Sequence, residues 1–235
     1  PRGRLTSPRH RLMWTALNRG KPVLDKGVRD AMSRLTYPRY YLDFETISFA
    51  VPVWAGTRPY QQIPFQWSCH IESHTGSMKH REWLADGSHD PRRDFVESLL
   101  STIGPRGTVL AYNASFERKR LEELADAFPE HEATLLSLME RIVDLLGIAR
   151  DHYYHPDMRG SWSIKNVLPT IAPELDYAAL AVANGGMAQE VYLQLLSSTA
   201  SEAEKQQWRT DLLTYCERDT QAMVEVAHYF EGKRR

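Results

Sequence analysis

The chain has 235 residues, 42% of them hydrophobic and 25% charged, with a formal net charge of −1. These values suit a globular domain with a sizeable core and exclude low-complexity or fibrous sequence. No apolar run reaches the length of a membrane span, no signal peptide is visible, and Cys69 and Cys216 lie too far apart in sequence to read as a disulfide framework; a cytoplasmic protein without a membrane partner is expected.

The charge is uneven. Residues 1–39 hold ten Lys/Arg against two Asp/Glu, and the remainder is acidic. A basic arm beside an acidic body fits a polyanion or a neighbouring domain as partner, and equally a solvated linker. Pro8, Gly20, Pro22, Gly27 and Pro38 punctuate residues 1–38, which read as a basic N-terminal appendage or linker ahead of a main domain over 39–235. Trp14, Leu17, Val28 and Leu35 are the residues able to pin short helices onto that domain.

The first strand of the main domain covers about 39–45. Side chains two apart in a strand share a face, so Asp43 and Glu45 point one way while Leu42 and Phe44 point into a core. Adjacent unpaired carboxylates repel, and a hard divalent cation removes that cost. Two solvated acids at a strand end are the plain alternative. A long loop with Phe49, Trp54 and Tyr60 follows, then an alternating strand over 65–72 with Phe65, Trp67, Cys69 and Ile71 on one face. Thr75-Gly76-Ser77 turns into a third strand over 78–84. Cys69, His70, His74 and His80 do not make a zinc site, because Cys69 and His70 fall on opposite faces and the spacing lacks a paired element.

A helix is expected over 91–103, and a short buried strand over 108–112. Asn113 is expected to N-cap the next helix, which Pro129 stops. Further helices are expected at 131–141, 163–171, 187–196 and 202–231, with a short strand at 142–144 leading into Leu145 to His152. The stretch 153–162, with Tyr153, Tyr154, Arg159 and Trp162, reads as an aromatic and basic loop. Antiparallel strands followed by a strand–helix–strand unit indicate an α/β or α+β sheet with helices on its faces.

Three further acids complete a pattern. Glu117 falls in the first turn of the helix after Asn113. Tyr215 and Asp219, four residues apart, share a face of the last helix. Asp144 is a ligand, a structural acid or neither. The helix dipole and ordinary amphipathic patterning explain Glu117 and Tyr215 without any chemistry.

In order and separation, Asp43-Phe44-Glu45-Thr46, Asn113 with Glu117, and Tyr215-Cys216-Glu217-Arg218-Asp219 resemble the three motifs of the DEDD (DnaQ-like) 3′–5′ exonucleases. They fit the tyrosine subtype of that branch of the ribonuclease H-like superfamily. Glu117 departs from the usual Asp of the second motif. The resemblance covers about residues 39–230. The stretches Tyr37-Pro38, Pro59 to Gln66 and Gly160 to Pro169 also resemble an uncharacterised bacterial domain family. Its members often follow a RecB-like nuclease domain, and a chain starting at Pro1 with a basic arm fits such an upstream partner.

The resemblance implies a mixed five-stranded ribonuclease H-like sheet flanked by helices on both faces. It implies two divalent cations, Mg²⁺ or Mn²⁺, held by Asp43, Glu45, Glu117 and Asp219, with Tyr215 orienting the attacking water. The implied substrate is single-stranded DNA or RNA with a free 3′ end. Phe44, Thr46, Asn113, Tyr154, Trp162 and Lys165 are the candidate substrate contacts, through stacking and charge. A catalytically inactive binding or scaffold module and an endonuclease of the same superfamily are the alternatives.

Overall fold

Tyr40 to Ile47 is almost continuously buried, and the rest of the molecule is layered on this strand. The structure is a computed structural model that describes residues 5–175, 177–197 and 199–233. In chain order its elements are α1 (Pro8–Arg19), β1 (Val23–Leu24), α2 (Gly27–Ser33), β2 (Arg39–Ile47), β3 (Ile63–Glu72), β4 (Met78–Leu84), α3 (Arg92–Thr102) and β5 (Thr108–Ala111). There follow α4 (Ser115–Ala127), α5 (Glu132–Glu140), β6 (Ile142–Asp144), α6 (Leu145–His152), β7 (Tyr153–Tyr154), α7 (Ile164–Val167), α8 (Gly185–Leu195) and α9 (Glu202–Glu231).

Five strands form a mixed sheet in the order β4-β3-β2-β5-β6. β2 runs antiparallel to β3, with Leu42 opposite Cys69, and parallel to β5, with Tyr41 opposite Leu110. β6 continues the parallel half. With helices on both faces, this is the α/β, ribonuclease H-like arrangement expected from the sequence. The three parallel strands end at one edge, the usual place for a site in such sheets. Gly107 lets β5 start beside β2: at its φ of 96°, an added Cβ would collide with the Pro38 carbonyl oxygen.

Leu42, Phe44, Trp67, Cys69, Val109 and Ala111 pack beneath α3, α4 and α5. The opposite face is covered largely by α9, whose 30 residues span about 45 Å. The polar side of β3 meets α9 and hydrogen-bonds to it. Gln66 donates to the Leu212 carbonyl, Ser68 and His70 each hydrogen-bond the Thr220 hydroxyl, and His228 Nε2 lies 3.0 Å from Glu72 Oε1. Partners of this kind make buried polar groups tolerable; Gln66 Oε1 is left without one.

One expectation is corrected here. Phe65 does not share a face with Trp67 and Cys69. The register between β2 and β3 shifts at Glu45/Thr46, so Phe65 is the extra residue of a bulge and turns towards α8, stacking on Tyr192 at 3.9 Å. The stretch before residue 39, expected as an appendage or linker able to pin short helices onto the main domain, carries α1, β1 and α2. Ala16, Val28, Met32 and Leu35 are buried in one cluster with Tyr41, Leu110 and Phe230. β1 pairs with β7, Val23 opposite Tyr154, so the segment completes the core. Of the four expected anchors, Val28 and Leu35 are buried and Trp14 half-buried, whereas Leu17 is exposed.

Candidate functional site

β2 has two characters. Leu42 and Phe44 join the apolar layer, where Phe44 meets Phe95 edge-on with ring centroids 5.0 Å apart. Asp43 and Glu45 face the other way, towards α9. Helical periodicity puts Tyr215, Cys216 and Asp219 on the buried stripe of α9. Single oxygens of Asp43, Glu45 and Asp219 come within 4.8 Å of one another. Glu117, in the first turn of α4, follows the parallel neighbour of β2 and arrives at the same edge. It is 2% exposed, and its Oε2 is buried without a hydrogen-bond partner.

Burial dominates the electrostatics of the cluster. It pushes Asp43 well above the carboxylate range, and the charges of Asp219, Glu45 and Glu117 add to it. Burial takes Glu45 up to about 8, with Asp219 adding and Lys165 opposing. Burial likewise takes Glu117 to about 8, opposed by its own backbone N–H and reinforced by Asp144. Asp219 is raised by burial despite hydrogen bonds from Tyr177 and Tyr215 and the charge of Lys165. Four such acids cannot all ionise without a counter-charge. Hard oxygen donors, mutual repulsion and the orphaned Glu117 oxygen together fit a divalent cation.

Tyr215 is buried, and its hydroxyl accepts from Lys165 Nζ at 3.2 Å. Lys165 also donates to the Ala183 carbonyl, and its ammonium lies 5.0 and 5.2 Å from the Tyr215 and Tyr177 ring centroids. Lys165 is thus at the site but held by the protein.

The structure changes the capping role expected of Asn113 and buries Phe44, Thr46, Tyr154 and Trp162 among the expected substrate contacts. Asn113 is not the N-cap of α4; Ala114 is. Asn113 instead takes the left-handed conformation, φ 77°, at the sharp exit from β5, a conformation Asn tolerates. Its N–H donates to Asp144 Oδ1 at 3.0 Å. The same oxygen accepts from Ala114 and from Leu146, where it caps α6. Of the roles open to Asp144, the structure gives it the structural one: it clasps the β5–α4 turn to α6.

Tyr154 and Trp162 lack a free face for stacking on a base. Tyr154 is paired in β7 and 2% exposed, and Trp162 packs on it with centroids 5.2 Å apart while its indole donates to the Tyr153 carbonyl. The reason is β1, which pairs with this stretch from the segment read as an appendage. Phe44 is buried in the apolar layer, and the Thr46 hydroxyl is used by Gln62.

One residue at the site had no signal in the sequence. The Tyr177 hydroxyl donates to Asp219 Oδ1 at 2.6 Å. Tyr177 lies in an aperiodic stretch 42 positions before its partner, beyond the reach of any helix or strand spacing.

Residues 40–163, more than half of the chain, match the family model described as "Domain of unknown function (DUF2779)". The chain belongs to that family. The match carries Asp43, Glu45 and Glu117, while Tyr215 and Asp219 lie beyond it. The DUF2779 chain is also similar to the "Uncharacterized protein MG366 homolog" of Mycoplasma pneumoniae, 30% identical over 217 residues that cover 84% of this chain and 33% of that protein. The "Uncharacterized protein UU173" of Ureaplasma parvum is 27% identical over 224 residues, covering 86% of this chain and 32% of its own length. "Uncharacterized protein MG366" of Mycoplasma genitalium is 25% identical over 222 residues, with 86% and 33% covered. The chain therefore spans about a third of the length of the curated relatives it matches. No solved structure gives a significant match. No helix among the described residues is long and apolar enough to cross a membrane.

Proposed function

We propose that this domain is a metal-dependent nuclease, a 3′–5′ exonuclease of single-stranded DNA or RNA. The observation that supports it most is the convergence of Asp43, Glu45 and Asp219 within 4.8 Å, beside a buried, unpartnered Glu117 oxygen. In this reading Asp43, Glu45 and Asp219 hold one dication, and Asp43 with Glu117 a second. Four carboxylates balance two such charges. Bound Mg²⁺ or Mn²⁺ supplies the positive charge that activates water and stabilises the leaving oxygen in phosphodiester hydrolysis.

The protein's own groups prepare that chemistry. The strand fixes Asp43 and Glu45 on one face, and α9 sets Asp219 one helical turn from Tyr215. Burial and three nearby carboxylates, Asp219, Glu45 and Asp43, push the Tyr215 phenol far above its ordinary range. It therefore stays protonated and is no base; its one O–H bonds to Asp219, which leaves its oxygen to accept from a water beside the acids. Glu117, one methylene longer than Asp, reaches the cluster from the first turn of α4.

The test is Mn²⁺-dependent degradation of single-stranded oligonucleotides labelled at the 3′ or the 5′ end, by wild type and Asp43→Asn. The expected result is mononucleotide release from the 3′ end by wild type alone. Internal fragments would replace the exonuclease with an endonuclease, and equal cleavage by both proteins would remove this site. An inert wild type would support a scaffold module.

A further inference from the structure

We infer that Tyr177 is a positioning residue that sets the orientation of the Asp219 carboxylate for the cation; this rests on the metal-binding reading proposed above. A carboxylate rotates broadly about its last bond. The 2.6 Å hydrogen bond from the Tyr177 hydroxyl to Oδ1 stops that rotation and so fixes where both Asp219 oxygens lie. Tyr177 is itself 6% exposed and braced on two sides. Its ring lies edge-on to Tyr215 at 6.5 Å and beneath the Lys165 ammonium at 5.2 Å.

The segment that carries Tyr177 is anchored at its far end too. Lys165 donates to the Ala183 carbonyl, and the atom nearest to a Cβ built on Gly185 is Glu45 Oε2, at 3.6 Å. A stretch that runs from Tyr177 to Gly185 thus bonds to Asp219, passes beside Glu45 and holds Lys165. A tyrosine needed only to fill space would not place its hydroxyl on a carboxylate of the cluster. Tyr192 is the contrast within the same layer: it stacks on Phe65, and its buried hydroxyl has no partner. Hydrogen-bond partners behind a metal ligand typically account for a 10–100-fold difference in metal affinity.

The experiment measures Mn²⁺ binding by wild type, Tyr177→Phe and Tyr192→Phe, using the electron paramagnetic resonance signal of free Mn²⁺ and no nucleic acid. Circular dichroism melts in chelator establish that each variant folds. The expected result is about 10–100-fold weaker binding by Tyr177→Phe and unchanged binding by Tyr192→Phe. A second measurement needs no loss of the hydroxyl: fluorotyrosine at position 177, followed by ¹⁹F NMR, should shift on saturation with Mg²⁺. Tyr177→Phe binding within twofold of wild type, or an unmoved ¹⁹F resonance, overturns the role of Tyr177 alone. A wild type without saturable Mn²⁺ binding overturns the metal reading, and this inference with it.

Discussion

Without metal, the domain should lose stability as the pH rises from 6.5 to 8.5. Glu45 and Glu117 titrate near 8 in the folded chain, against an ordinary glutamate value of about 4.3. Asp43 is displaced in the same direction. Between those limits the folded state binds more protons than the unfolded one, so stability falls as pH rises. The contribution is complete below the unfolded value and gone once the pH passes the folded one. Each unit of displacement is worth about 1.4 kcal/mol, so the cluster contributes on the order of a few kcal/mol across the window. His70, which burial lowers to about 4, works the other way but only below its unfolded value of about 6.5. Starting at pH 6.5 therefore separates the two. The assay is urea denaturation in chelator at several pH values, repeated in millimolar Mn²⁺. Mn²⁺ should restore the stability lost at pH 8.5, and Glu45→Gln should make the metal-free profile shallower, with Glu117 and Asp43 still contributing. A profile already flat in wild type, or a loss at high pH that Mn²⁺ leaves untouched, would refute the reasoning.

Other consequences concern the groups around the acids. Asp144→Ala removes the acceptor of three backbone N–H groups and should cost about 1–3 kcal/mol in denaturation, while saturable Mn²⁺ binding survives. Trp162→Ala should cost about 3–5 kcal/mol because the ring is core, and an unchanged denaturation midpoint would return it to the surface. Deleting residues 1–35 strips α1, β1 and α2 from Tyr41, Tyr154 and Phe230 and should abolish cooperative unfolding. A truncated chain that still melts cooperatively would restore the appendage.

The parts of the fold legible in the sequence were those set by short-range periodicity. Alternation over about 39–45 placed Asp43 and Glu45 on one face, and the four-residue step from Tyr215 to Asp219 placed both on one stripe of α9. Partners distant in sequence were not legible. Nothing near Tyr153 and Tyr154 announces that Val23 and Leu24 will pair with them, so a buried two-residue strand reads as an open aromatic loop. The bulge at Phe65 follows from pairing with β2, not from the composition of β3. Asn113 has the chemistry of a cap, but the turn out of β5 needs its left-handed backbone more. Tyr177 reaches Asp219 from a stretch with no period at all.

The most direct measurement is anomalous diffraction from crystals soaked in Mn²⁺. If the acids form a metal centre, density appears between Asp43, Glu45 and Asp219, with a second peak between Asp43 and Glu117. Ordered carboxylates with no anomalous density among them, at millimolar Mn²⁺ and pH 8, would contradict it.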